Sequence, residues 1–326
     1  MALLNLRRVT LGFGSIPLLD GIDMQIHAGE KISILGRNGS GKSTLMKLIN
    51  GEIEPDGGTR ILEKGVTTAR LPQEVPGHFT GTVRDVVAGG IGPAHGGAYD
   101  DETAHRRIER AIALLSVDPA LNYENLSAGM KRRVVLGRTI VNEPDIILLD
   151  EPTNHLDIDS IGWIEDFLCR HDGTILFVTH DRDFLRKVSG RIVEIDRGTL
   201  FDWKCDYDTF LKRKEAWLEA EENRDLQFDR KLAREETWIR KGIKARRTRN
   251  EGRVRALMKM REERARRRER QGTVRMESHD AEKSGRMIIE AADLSFGYGE
   301  TRLIEGFSAR IMRGDKIGII GPNGCG

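Results

Sequence analysis

GRNGSGKST, at residues 36–44, decides how the rest of the chain is read. It follows KISIL (residues 31–35) and precedes LMKLI (residues 45–49), so an apolar strand runs through a glycine-rich turn into an apolar helix. That is the context in which G-x-x-x-x-G-K-[ST] is a phosphate cradle. The glycines let backbone N–H groups turn inward as a nest for phosphate oxygens. The helix start adds its positive end. Lys42 offers a point charge to the terminal phosphates, and Ser43 offers a hydroxyl to a divalent cation. Gly36, Asn38, Gly39, Ser40, Gly41, Lys42, Ser43 and Thr44 are therefore expected to bind a nucleotide.

Further along, DIILLDE (residues 145–151) reads as a buried strand ending in two acids. Asp150 is expected to hold Mg²⁺, and Glu151 to polarise an attacking water as general base. In LSAGMKRR (residues 126–133), Ser127 stands where a helix N-cap belongs, ahead of an apolar face beginning at Val134. A serine and open N–H groups at a helix start can hold a γ-phosphate. Taken alone, the acid pair reads as well as a helix-capping acid after a buried strand, and the LSAGM stretch reads better as a simply capped helix. A last apolar run, residues 175–178, delivers His180 to the same sheet edge as Glu151.

Phosphate loop, Gln73, LSAGM, IILLDEPTNHLD and Thr179-His180-Asp181, in this order, resemble an ATP-binding cassette domain. The resemblance implies an α/β fold of the P-loop NTPase type, with ATP and Mg²⁺ as ligands and ATP hydrolysis as the reaction. It implies that Phe13, 29 residues before Lys42, stacks on adenine. Gln73 takes the place of the residue that senses Mg²⁺ and the attacking water. Asp157 matches the acid of the D-loop, and His180 the switch histidine at the γ-phosphate. Ser127, Ala128 and Gly129 match the signature, which faces the nucleotide of an opposing module. Ala128 departs from the family's glycine at that position. EPTNHLD, two modules on one chain and a charged helical linker resemble the ABC-F group, which lacks transmembrane domains. Only 53 residues separate Gln73 from Ser127, so the helical arm often inserted there is expected to be absent or very short.

The second module is visible as a repeat. Residues 13–41 recur at 298–326 with a constant offset of 285. Leu18-Leu19-Asp20-Gly21 matches Leu303-Ile304-Glu305-Gly306, and Tyr298 stands where Phe13 does. The last residues, GPNGCG, match the start of the phosphate loop, and the chain stops before a counterpart of Lys42. This predicts a first cassette over residues 1–203, a charged linker forming a helical hairpin over 204–284, and the truncated opening of a second cassette over 285–326. Each ATP of a cassette pair lies between one module's phosphate loop and the other's signature. The chain alone is therefore expected to bind ATP and hydrolyse it weakly. GGIGPAHGGA, residues 89–98, reads as a flexible loop.

The net charge of +2 conceals an asymmetry. Residues 240–270 hold 15 Lys and Arg against 4 Glu, a local excess of +11. A basic rod of this kind is a footprint for a polyanion. Arg246, Arg247, Arg249, Arg253 and Arg255 are the expected phosphate contacts. Charges that merely keep a helical hairpin solvated are the plainer reading. The resemblance implies branched DNA or ribosomal RNA as partner, in DNA repair or in ribosome assembly or translation. The motor subunit of a membrane transporter is the third class, disfavoured by fused cassettes and a basic linker. No run approaches the roughly 18 apolar residues of a membrane span. Three widely spaced cysteines suit a reducing cytoplasm.

Overall fold

The computed structural model describes residues 2–14, 17–73, 79–92, 101–154, 156–240, 247–266, 287–298 and 301–318. It divides into two compact units, Met1–Tyr207 with Ala281–Gly326, and Asp208–Asp280.

The first unit opens with β1 (Ala2–Leu11), β2 (Leu19–His27) and β3 (Lys31–Gly36), followed by α1 (Lys42–Asn50), β4 (Gly57–Leu62) and β5 (Thr68–Leu71). Helices α2 (Val83–Ala88), α3 (Asp101–Leu115) and α4 (Ala128–Ile140) come next. Then β6 (Ile146–Asp150), α5 (Ile158–Arg170), β7 (Thr174–Val178), α6 (Arg182–Val188), β8 (Arg191–Asp196) and β9 (Thr199–Trp203) complete an α/β domain. The main sheet has the order β5-β6-β7-β3-β8-β9, parallel except for β8 against β9. IILLD of β6 and TILFV of β7 are buried at every position. Continuous apolar runs are what parallel strands need when both faces are covered.

A smaller antiparallel sheet, β2-β1-β4, packs over one face. Leu4, Leu6, Val9, Ile22, Met24 and Ile26 from it share one core with Ile32, Ile34, Leu45 and Leu48. Full burial of such a side chain stabilises by about 1.5–3 kcal/mol, so this layer anchors the phosphate loop from behind. The antiparallel layer has no separate signal in the sequence, where β1 and β2 read only as short strands of an α/β domain. Of the glycine-rich stretch, residues 93–98 lie outside the described residues. Its first part is tied down, because the Asn142 side chain donates to Gly90 O at 2.8 Å and accepts from Gly92 N at 3.4 Å.

The repeat extends to backbone detail. β10 (Met287–Tyr298) pairs with β11 (Thr301–Met312) in the register of β1 with β2, displaced by 285 residues: Leu4↔Ile26 becomes Ile289↔Ile311, and Val9↔Ile22 becomes Leu294↔Phe307. Arg8 N donates to Asp23 Oδ1 at 2.9 Å, and its counterpart Asp293 N donates to Ser308 Oγ at 2.9 Å. Gly21, at φ 60°, recurs as Gly306 at φ 62°, a left-handed bulge that glycine adopts without a Cβ penalty. The environments differ: Val9 and Ile22 are buried, whereas Leu294 and Phe307 are exposed.

The second unit holds most of α7 (Tyr207–Arg240) and all of α8 (Arg247–Arg266). Leu232 and Leu257 are buried. Glu235 grips Arg253 through two oxygens at 2.6 and 2.9 Å, Glu236 meets Arg261 at 3.0 Å, and Asp229 meets Arg264 at 3.4 Å. From Glu235–Arg253 to Asp229–Arg264 the partners run in opposite chain directions, so the two helices form an antiparallel hairpin. No helix among the described residues is long and apolar enough to cross a membrane.

Candidate nucleotide site

β3 lies between β7 and β8, so the turn after β3 sits at a crossover of the parallel sheet, where ligand clefts form beyond the strand ends. Gly36 ends β3, and a Cβ there would lie 2.7 Å from Ile195 O and 2.5 Å from Ser40 Oγ. Only glycine lets the loop turn this tightly. Gly41 stands at φ 104° before α1, another left-handed position that favours glycine. The Lys42 ammonium donates to Gly36 O at 2.9 Å and to Arg37 O at 3.1 Å, which aims it back across the loop.

A cleft of about 570 Å³ opens above the loop, lined by Phe13, Asn38, Gly39, Gly41, Lys42, Ser43, Thr44, Gln73, Asp150, Glu151 and His180. Leu18, Asn154 and Val178 complete the lining. Gly36 and Ser40 shape the loop without lining the cleft. Phe13 is 79% exposed, an aromatic face open to solvent beside the loop. Leu18 and Val178 carry no signal in the sequence, whereas Asn154 stands inside EPTNHLD, where the acids on either side draw the reading away from it.

Glu151 is largely buried and has φ 48°, unusual for a residue with a side chain. Its N–H bonds Val178 O at 2.9 Å, which locks it beside the strand that carries the switch turn. His180 Nε2 lies 3.3 Å from Glu151 Oε1. Thr153 Oγ1 and Thr179 Oγ1, 3.2 Å apart, form a second tie between the two segments. Burial pushes the Glu151 carboxyl above the ordinary carboxylate range; His180 and Lys42 oppose the rise and Asp150 adds to it. Burial also lowers Lys42, against the pull of Glu151 and Asp150. A carboxyl held toward neutrality beside a histidine is suited to proton transfer. Asp150 Oδ2 is buried and receives no hydrogen bond among the described residues; the Arg70 guanidinium stands 4.0 Å away. A buried carboxylate oxygen left open at a cleft fits a hard cation with oxygen ligands, as Mg²⁺ requires.

Ser127 and Asp157 do not line this cleft. Ser127 caps α4, accepting from Met130 N at 3.3 Å, and Asp157 caps α5, accepting from Ser160 N at 3.1 Å. The Ser160 hydrogen bond holds Asp157 below the ordinary carboxylate range. The two helix starts pack so closely that a Cβ on Gly129 would lie 2.0 Å from Ser160 Oγ. Ala128 is exposed, so its extra methyl meets no crowding among the described residues.

Two family models match the chain. One, described as ABC transporter, matches residues 19–154, and a second with the same description matches residues 193–276. The ATP-binding protein Uup of Escherichia coli (strain K12) is 43% identical over 357 residues, covering 100% of this chain and 56% of that protein. The chain belongs to the ABC-F family of ATP-binding cassette ATPases. The energy-dependent translational throttle protein EttA of Mycobacterium tuberculosis (strain ATCC 25618 / H37Rv) is 31% identical, covering 99% of this chain and 63% of that protein. The chain spans about half the length of the curated Uup relatives it matches. Among solved structures, a nucleotide-free ATP-binding cassette from an ABC transporter shares the fold at TM-score 0.54 and 21% identity, over 65% of this chain and 94% of that one. A dimeric cassette in a post-hydrolysis state, bound to ADP and Pi, does so at TM-score 0.53 and 24% identity, over 63% of this chain and 99% of that one.

The ABC-F linker gives a mixed picture of the expected phosphate contacts. Arg246 lies outside the described residues, and Arg247 and Arg249 fall in the first turn of α8. Arg255 is exposed on the same helix. Arg253 is engaged by Glu235, and its guanidinium also lies 4.0 Å over the Trp238 ring. Trp238 and Arg253 thus hold the hairpin together, a use that the charge count alone does not reveal.

Proposed function

We propose that the cleft hydrolyses ATP to ADP and phosphate, and that this cycle switches the protein on a nucleic-acid partner bound through the α7–α8 hairpin. The observation that carries the reading is the convergence of Lys42, Glu151 and His180 in one cleft above the phosphate loop. Phe13 stacks on the adenine, and the N–H groups of residues 38–44 together with Lys42 hold the phosphates. Glu151 accepts a proton from the attacking water while the γ-phosphorus bonds the water oxygen and releases the β–γ bridging oxygen. Gln73 orients that water, and His180 donates to the γ-phosphate. Ser43, Asp150 and Gln73 would hold Mg²⁺, which neutralises phosphate charge when bound. The β10–β11 hairpin opens a second cassette whose signature closes over this nucleotide, while Ser127, Ala128, Gly129 and Asp157 face the nucleotide of that cassette.

The linker arginines bind phosphates whatever the base sequence. Of the polyanions that fit, ribosomal RNA is favoured by likeness to a relative named for translational throttling. Branched DNA is the other outcome of the test, and the cytoplasm is the compartment for either. The test is retention of the intact Glu151→Gln protein on ribosomes and on branched DNA, at matched salt, with ATP or ADP. ATP-dependent retention on ribosomes supports the reading. ATP-dependent retention on DNA alone moves the partner to DNA. Retention independent of nucleotide, or none on either, removes the switch.

A further inference from the structure

The signature helix carries a buried charge that the motif reading leaves unused. Arg132, in the second turn of α4, is 3% exposed. One terminal nitrogen of its guanidinium donates to the carbonyl oxygens of Pro72 at 2.7 Å and Gln73 at 2.8 Å. The other donates to those of Asp150 at 3.3 Å and Glu151 at 3.4 Å. Nε is buried without a hydrogen bond among the described residues. The Asp150 carboxylate balances the charge at a distance, without bonding it. A buried charge is costly to desolvate unless its donors are used, so burial alone does not account for an arginine here.

Its four acceptors do. They belong to the segment that carries Gln73 and the segment that carries Glu151, and Arg132 itself rides on the helix that Ser127 caps. Glu151 holds a left-handed backbone conformation, which costs about 1–3 kcal/mol and persists only where its surroundings over-determine it. Val178 fixes its N–H, and Arg132 holds its C=O.

We infer that Arg132 is a positioning residue that couples the signature helix to the hydrolytic side of the cleft, holding the backbone of Gln73 and Glu151 in register with Ser127. A shift of α4 on cassette closure therefore carries both segments with it. A group that engages Ser127 acts on Glu151 through one rigid guanidinium fork, and no lysine reproduces that fork. The inference rests on the proposed roles of Glu151 and Gln73.

The test uses the intact protein with Arg132→Met, Arg132→Lys, Gln73→Ala, the Met/Ala double variant and Glu151→Gln as reference. Misplacing reacting groups by an ångström costs on the order of 100-fold in rate. Arg132→Met is therefore expected to fold cooperatively and keep its KM for ATP within about 3-fold while kcat falls about 100-fold. Arg132→Lys recovers part of kcat. Gln73→Ala lowers kcat alone but adds little in the Met background, because both changes break one unit. Native kcat in a folded Met variant, or kcat and KM failing together with fully additive losses, overturns the inference. Should the Met variant not fold, Arg132→Lys and Arg132→Gln carry the same comparison. Native turnover in Glu151→Gln would instead remove the reading of the site on which the inference stands.

Discussion

At the scale of single residues, Glu151 carries two sign-definite predictions. Its carboxyl is raised above its ordinary value of 4.5, chiefly by burial. The folded state therefore keeps that proton to a higher pH than the unfolded chain does. The stability tied to it is full below the unfolded value and is lost as pH rises through the folded one. Glu151→Gln cannot ionise, so it should raise Tm at pH 7 and change little at pH 4 in calorimetry; an equal gain at both would contradict this. On the proposed role of Glu151 as general base, ATP turnover should show an acid limb centred above 4.5 in a pH–rate profile. Gly129 carries a third prediction. Gly129→Ala forces a methyl into Ser160, and overpacking of this kind costs about 1–3 kcal/mol, readable as a lower urea midpoint. The cleft residues that announce themselves in sequence do so by order and spacing: loop lysine, acid pair, histidine after a buried strand. Arg132 and Thr153 do not, because their partners are backbone carbonyls and a hydroxyl from segments that only the fold brings together.

The α7–α8 hairpin is the element through which the nucleic acid is proposed to bind. Arg253, Arg261 and Arg264 pair with acids of the facing helix. Arg247, Arg249 and Arg255 are proposed to spend their charge on the nucleic acid. Replacing these three with alanine should lower the slope of log affinity against log salt by roughly 0.7–0.9 for each phosphate that is no longer neutralised. Arg253→Ala should instead reduce hairpin helicity by circular dichroism. An unchanged slope in the triple variant would return these charges to a solvating role. The sequence makes the helices legible through their near-absence of proline and their charge. It does not reveal that part of the +11 is neutralised across the hairpin, since the acids lie outside the basic stretch. Of the main sheet, β3, β6 and β7 are legible as apolar runs. The β2-β1-β4 layer is not, because half-buried strands with bulges break the alternation that would have marked them.

For the whole molecule, the 285-residue repeat is the organising fact, and it holds down to register, bulge and side-chain-to-backbone bonds. Val9, Leu11 and Ile22 are buried in the first copy, whereas Leu294, Phe296 and Phe307 are about half exposed. A face of that kind is covered in the intact protein, on the proposal that a second cassette builds on it. Phe307→Ala should then cost about 3–5 kcal/mol in the urea unfolding of the intact protein, and an unchanged midpoint would contradict the cover. The account as a whole depends on the cleft being hydrolytic. The most direct measurement is the chemical identity and lifetime of nucleotide bound to the intact Glu151→Gln protein after mixing with radiolabelled ATP. The account predicts that the label is recovered as ATP, held long after native protein has released ADP, with turnover lower by about 100-fold or more. Recovery as ADP at the native rate would contradict it.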